Sequence, residues 1–193
     1  MDTIILASAS KGRREIFESL ELPYISIPAD IDETIPWASP REEITELAVR
    51  KAQEAHLQNK ERPEKWIAAA DTLVIFQGYP MGKPASPEQA RQFLTSLSGQ
   101  EHQVITGLAF MDRTTGAIFS TSDITTVTMG QLTEAEIEWY LSTGEWQGAA
   151  GAYRIQHRGA ALVEKINGSF SNVIGLPIRK LFYIMKKAGY PAK

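Results

Sequence analysis

Cysteine is absent from all 193 residues, which removes disulfide frameworks and thiolate metal sites and argues against a small secreted scaffold. No stretch approaches the roughly 20 apolar residues of a membrane span. The opening Met1-Asp2-Thr3-Ile4-Ile5-Leu6-Ala7-Ser8 carries an acid where a secretory leader needs a base, and its apolar run is too short for a leader's hydrophobic segment. A cytoplasmic chain with no membrane partner is the expectation. Excess positive charge is also missing. The formal net charge is −3 with no basic stripe, so nucleic acid is not an expected partner, whereas a compact anion, which needs only a few local cations, remains open. Two common catalytic signatures are missing too. Gly82-Lys83-Pro84 lacks the spacing of a phosphate-binding P-loop, and no Gly-x-Ser-x-Gly elbow exists for a serine nucleophile. His56, His102 and His157 lie far apart without metal-ligand spacing, and read as surface or hydrogen-bonded residues.

What remains is ordinary globular composition, 43% hydrophobic and 22% charged, long enough for one well-buried core. One domain is expected, either undivided or built as two lobes around a cleft. Thr3 to Ala7 reads as a buried strand entering a tight turn, and Gly12 to Leu20 as a helix with Ile16, Phe17 and Leu20 on one face. Pro23 to Ile27 reads as a second strand, followed by an acidic loop from Pro28 closed by Pro36. Ser39-Pro40-Arg41-Glu42 opens a helix, with Ser39 as cap, Glu42 completing a capping box, and Ile44, Leu47, Ala48, Ala52, Ala55 and Leu57 on the inner face. Trp66 to Phe76 is a strand and Gln77 to Pro84 a turn. Ser86-Pro87 opens another helix ending near Gly99, and Gln103 to Thr128 is a long hairpin broken at Asp112 to Gly116. Thr133 starts a helix that ends by Gly144, and a Gly- and Ala-rich loop runs to Tyr153. A strand over Ala160 to Ile166, a turn at Asn167-Gly168 and a last helix from Leu176-Pro177 to Ala188 complete the chain. Strands alternate with helices but a hairpin interrupts, so the class is α/β or α+β, with a mixed sheet flanked by helices.

Three groups of residues could carry chemistry. Ser8-Ala9-Ser10-Lys11-Gly12-Arg13-Arg14 sits between a strand and a helix, where backbone N–H groups, hydroxyls and the two guanidinium forks of Arg13 and Arg14 suit phosphate oxygens. A serine cap followed by two solvated arginines is the plain alternative. Asp30, Asp32 and Glu33 offer hard oxygen ligands for Mg²⁺, or are simply a solvated loop. Asp71 interrupts the apolar Ala68-Ala69-Ala70-Asp71-Thr72-Leu73-Val74-Ile75, so something must compensate its charge. It is either a base, helped by a metal or by burial, or a structural carboxylate bonded to nearby backbone. Lys83, and Lys51 if its helix face turns inward, can be point charges on a phosphate. The Gly151 to Gln156 and Gly168 to Pro177 segments are dense in glycine, serine and amides, which suits close approach to a ligand as well as plain loops.

Taken in order, Leu6 to Arg14, Ala70-Asp71-Thr72, Gly82-Lys83-Pro84, Ser98-Gly99 to Thr106-Gly107, Gly151-Ala152-Tyr153-Arg154-Ile155-Gln156 and the Gly168 to Pro177 run resemble the Maf family of nucleoside triphosphate pyrophosphatases. The likeness spans nearly the whole chain. It implies a mixed-sheet fold related to the inosine triphosphate pyrophosphatases, with a central nucleotide cleft, a single domain and a homodimer. It also implies Mg²⁺- or Mn²⁺-dependent hydrolysis of a nucleoside triphosphate to monophosphate and pyrophosphate. In that scheme Asp71 matches the base that activates water, Ser8, Arg13, Lys51 and Lys83 match phosphate-binding positions, and Glu33 with Asp71 would hold the metal. Thr72 and Gln156 resemble the branch acting on dTTP and UTP rather than the one acting on 7-methyl-GTP. Lys11-Gly12 departs from both, replacing a proline followed by arginine or tryptophan, and Gly12 falls on a position tied to base choice, which leaves different or broader base specificity open. The family name also carries a role in restraining septum formation, so a nucleotide-binding regulator of cell division with little catalysis is the alternative to an enzyme that clears excess or modified pyrimidine nucleotides.

Overall fold

The computed structural model describes residues 1–34 and 39–191; Pro36, expected to close the acidic loop, lies outside them. In chain order the strands are β1 (Ile4–Leu6), β2 (Tyr24–Ser26), β3 (Trp66–Phe76), β4 (Tyr79–Met81), β5 (Glu101–Asp112), β6 (Ile118–Met129) and β7 (Val163–Asn167). The helices are α1 (Lys11–Ser19), α2 (Pro40–Gln58), α3 (Pro87–Leu97), α4 (Glu134–Ser142), α5 (Phe170–Ile174) and α6 (Ile178–Ala188). The sheet runs β2-β1-β3-β5-β6-β7, with β4 pairing off β3. It is mixed, because β1 is parallel to β2 and β3 while β4 is antiparallel to β3 and β7 to β6.

The chain divides into two compact units. The first comprises residues 1–71, 106–123 and 175–193; the second comprises residues 72–105 and 124–174. In the first, β1 is buried throughout and pairs in register with β3, Ile5 opposite Ile67 and Leu6 opposite Ala68. One row of alternating side chains, Ile5 and Ala7 on β1 and its end with Ile67 and Ala69 on β3, packs against Ala48, Ala52 and Ala55 of α2. The inward stripe of α2 is Ile44, Leu47, Ala48, Lys51, Ala52 and Ala55, the spacing of one helix face. Its alanines and Gly107 of β5 let helix and strand come close: a Cβ at Gly107 would lie 2.1 Å from the Ile44 carbonyl oxygen.

In the second unit the core joins Val74, Leu94, Leu97, Val127, Ile137, Tyr140 and Tyr153. Thr133 caps α4, and Thr133 and Glu136 form a reciprocal box. His102 of β5 is 3% exposed and its Nε2 lies 2.7 Å from the Tyr153 hydroxyl, the two rings meeting edge to face.

Several expectations need correction. Ser39 makes no side-chain cap bond, and its N–H donates to the Glu43 carboxylate at 3.1 Å instead of to Glu42, because Ser39 is not in the extended conformation a capping box requires. Leu57 is 55% exposed, because it lies two residues past Ala55 and a helix face recurs at three or four. The Gln77 to Pro84 turn contains β4, in which Pro80 is tolerated because, among the described residues, this three-residue strand has β3 alone as its neighbour. Arg158–Leu162 is a 3-10 helix, so β7 begins only at Val163.

Candidate active site

The loop after β1 is a serine-built cradle. Ser10 caps α1, its hydroxyl facing the Arg13 N–H. The Ser8 hydroxyl oxygen accepts two bonds, from the Ser10 N–H at 3.1 Å and from Arg13 Nη1 at 3.0 Å, while the Ser26 hydroxyl donates to the Ser8 carbonyl at 2.7 Å. Neither bond at the Ser8 oxygen uses its own hydrogen, which is left to donate. Arg13 is buried in the first turn of α1, and its Nε donates to the Gly175 carbonyl at 2.8 Å. Gly175 takes a φ of +109°, a conformation that a side chain disfavours, to bring that carbonyl round. Burial lowers the Arg13 pKa, with Asp71 first and then Glu33 pulling it back up; a guanidinium still keeps its charge at any working pH. Arg14 donates from Nη1 to the Ala9 carbonyl at 2.7 Å and is only half-buried, and Gly12 is buried on α1.

Asp71 extends the Ile67, Ala69 row of β3, so period-two alternation turns it to the face that α2 covers. Lys51 lies on the inward stripe of α2, and an ammonium there requires a partner. It has two: Nζ lies 2.5 Å from a Glu33 oxygen and 3.2 Å from an Asp71 oxygen. The Lys51 side chain is 9% exposed, Asp71 18% and Glu33 53%, so the cation is inside and the carboxylates open progressively outward. Helix and strand periodicity thus bring residues 51 and 71 together, and the loop after β2 adds residue 33. The first unit gathers Ser8, Arg13, Glu33, Lys51 and Asp71 into one charged group of two cations and two carboxylates.

The other expected residues belong to the second unit. Thr72 is half-buried in β3, Lys83 is exposed after β4, and Gln156 is half-buried in a turn. The Gly175 carbonyl that anchors Arg13 has no local signal in the sequence, since 162 residues separate the pair. The bond from Arg50 Nη2 to the Asp32 carbonyl, at 2.6 Å, has none either.

A cation is compatible with this donor set. Glu33 and Asp71 already reach one ammonium between them, and Mg²⁺ is typically held by one or two carboxylates with substrate phosphates supplying further oxygens. No cage of three or more histidine, aspartate or glutamate side chains exists among the described residues. Among them, too, no helix is long and apolar enough to cross a membrane.

A family model described as Maf-like protein matches residues 3–188. The chain belongs to the Maf family. Its relatives include proteins named dTTP/UTP pyrophosphatase. The one from Halalkalibacterium halodurans is 40% identical over 194 residues, covering 100% of both chains. That of Anaeromyxobacter dehalogenans strain 2CP-C is 39% identical over 192 residues, covering 97% of this chain and 95% of its own. That of Alkaliphilus metalliredigens is 40% identical over 188 residues, covering 97% and 96%. The Maf match takes in every residue of the charged group, from Ser8 to Asp71.

Proposed function

We propose that this Maf protein hydrolyses nucleoside triphosphates, dTTP and UTP foremost, to the monophosphate and pyrophosphate. The observation that carries the reading is the Glu33, Lys51, Asp71 group with Arg13 and Ser8 beside it, in a chain whose whole length aligns with relatives named for that activity. Arg13, the Ser8 hydroxyl hydrogen, Lys51 and the half-buried Arg14 supply the charge and donors that bind and orient phosphate oxygens, and in phosphoryl transfer positioning and charge neutralisation supply most of the rate. Asp71 takes the proton of the attacking water as the bond between the α and β phosphates breaks, and pyrophosphate leaves. Lys51 holds the Asp71 carboxylate in place and Glu33 shares that cation.

Glu33 and Asp71 would hold a divalent cation, Mg²⁺ or Mn²⁺, which when bound would acidify water and neutralise phosphate charge. Lys83 is assigned to substrate phosphate and Gly12, Thr72 and Gln156 to base choice; these roles rest on the family resemblance. The same reading has the protein act as a homodimer in the cytoplasm, clearing excess or modified pyrimidine nucleotides. The test is a panel of dTTP, UTP, CTP, GTP and 7-methyl-GTP with each metal, read by pyrophosphate release. Release from dTTP and UTP above the others is expected. A flat profile would assign Gly12 an open base site, and release from none would refute the activity.

A further inference from the structure

The loop after β2 carries three acidic residues, Asp30, Asp32 and Glu33, and they do different things. Asp32 does not turn its carboxylate to Lys51. Its Oδ1 accepts the Thr34 N–H at 2.9 Å, a turn closed by its own side chain. Its backbone carbonyl accepts from Arg50 Nη2 at 2.6 Å. Arg50 and Lys51 are neighbours on α2, about 100° apart around its axis. One reaches the loop backbone and the other reaches inward. Two consecutive cations of α2 therefore grip two consecutive residues of the loop, Arg50 the carbonyl of Asp32 and Lys51 the carboxylate of Glu33.

We propose that Arg50 and Asp32 are positioning residues for Glu33. Glu33 is half exposed on a segment outside any helix or strand, and a side chain so placed has many rotamers open to it. The turn at Asp32 sets the direction in which the chain presents Glu33, and the Arg50 bond fixes the height of that turn along α2. With both in place the Glu33 carboxylate meets the Lys51 ammonium; with either removed Glu33 keeps its charge and loses its aim.

The enzymatic arm of the test rests on the proposed function, and a second arm does not. In full-length protein without nucleotide, the ¹⁵Nζ signal of Lys51 reads its ion pair with Glu33 directly. Arg50→Ala and Asp32→Ala should each move that signal toward its position in Glu33→Gln. Asp32→Asn, whose amide oxygen can still accept the Thr34 N–H, should restore what Asp32→Ala loses. A Lys51 signal that moves in Glu33→Gln but stays at the wild-type position in both alanine variants would overturn the proposal. In the kinetic arm, Arg50→Ala should lower kcat/KM on the order of tenfold in the wild-type background and leave Glu33→Gln almost unchanged, the non-additivity of residues that act as one. Equal losses in the two backgrounds would show that Arg50 acts elsewhere and would also overturn it. Should the wild-type protein release no pyrophosphate, the activity reading falls while the Lys51 signal still decides the positioning.

Discussion

His102 sits in the core of the second unit with one ring nitrogen engaged and the other stranded. Nε2 is 2.7 Å from the Tyr153 hydroxyl, while Nδ1 is buried with no hydrogen-bond partner among the described residues. A neutral ring leaves Nδ1 merely under-used, but a protonated ring carries an N–H on both nitrogens and would place a charge and an unmet donor in the core. Burial accordingly pushes the His102 pKa down to about 4, from 6.5 for an ordinary histidine. Between those two values the unfolded chain binds the proton and the native chain does not. Stability from this group is therefore complete above pH 6.5 and lost as pH falls through that window to about 4. The depression corresponds to roughly 3 kcal/mol, or roughly 6–12 °C in melting temperature for a chain of this size. The perturbation is His102→Gln, which can keep a bond to the Tyr153 hydroxyl but has no proton to gain. Urea unfolding of both proteins at pH 7, 5.5 and 4 measures the slope. The wild type should lose about 3 kcal/mol more than the variant across that range. Parallel pH profiles would contradict this, because they would mean that the native state protonates His102 as readily as the unfolded chain.

Two further perturbations probe the frame around the charged group. Gly107→Ala places a Cβ 2.1 Å from the Ile44 carbonyl oxygen and 2.7 Å from the Thr45 nitrogen, both backbone atoms that cannot swing away; a loss of about 3 kcal/mol in thermal unfolding is expected, and an unchanged melting temperature would contradict the close packing of β5 on α2. Ser8→Ala removes the acceptor of both the Ser10 N–H and Arg13 Nη1, so it should cost about 1–3 kcal/mol of stability and raise KM for the triphosphate, measured by urea unfolding and initial rates; wild-type values of both would remove Ser8 from the site.

The main elements are legible in the sequence wherever one physical signal dominates. The α2 stripe reads at helical spacing, and the same spacing places Lys51 on it; the apolar run of β3 marks Asp71 as a charge that must be met. That they meet each other follows only once β3 and α2 are packed, since no local pattern pairs residues 20 apart. The short pieces are harder. In β4, Tyr79, Pro80 and Met81 stand in turn-forming company, and only pairing with Val74, Ile75 and Phe76 makes them a strand. The five residues of α5 are too few to show a period; the helix is set by the Ser169 hydroxyl, which accepts the Asn172 N–H at 3.3 Å. Glu33 is legible as an acid but not as a partner of Lys51, because its aim depends on Arg50 and on the turn at Asp32, and loop geometry of this kind is written in contacts between segments rather than in periodicity.

The Glu33, Lys51, Asp71 group is proposed to cut a triphosphate between its α and β phosphates. The most direct test measures the products formed from dTTP and UTP, with Mg²⁺ or Mn²⁺, by wild-type protein and by Asp71→Asn, a nearly isosteric change whose melting temperature is recorded beside the rates. Equal amounts of nucleoside monophosphate and pyrophosphate from the wild type, and a loss of turnover of at least about 100-fold in a folded Asp71→Asn, are the predicted result. Nucleoside diphosphate and inorganic phosphate as products, or full turnover by Asp71→Asn, would contradict it.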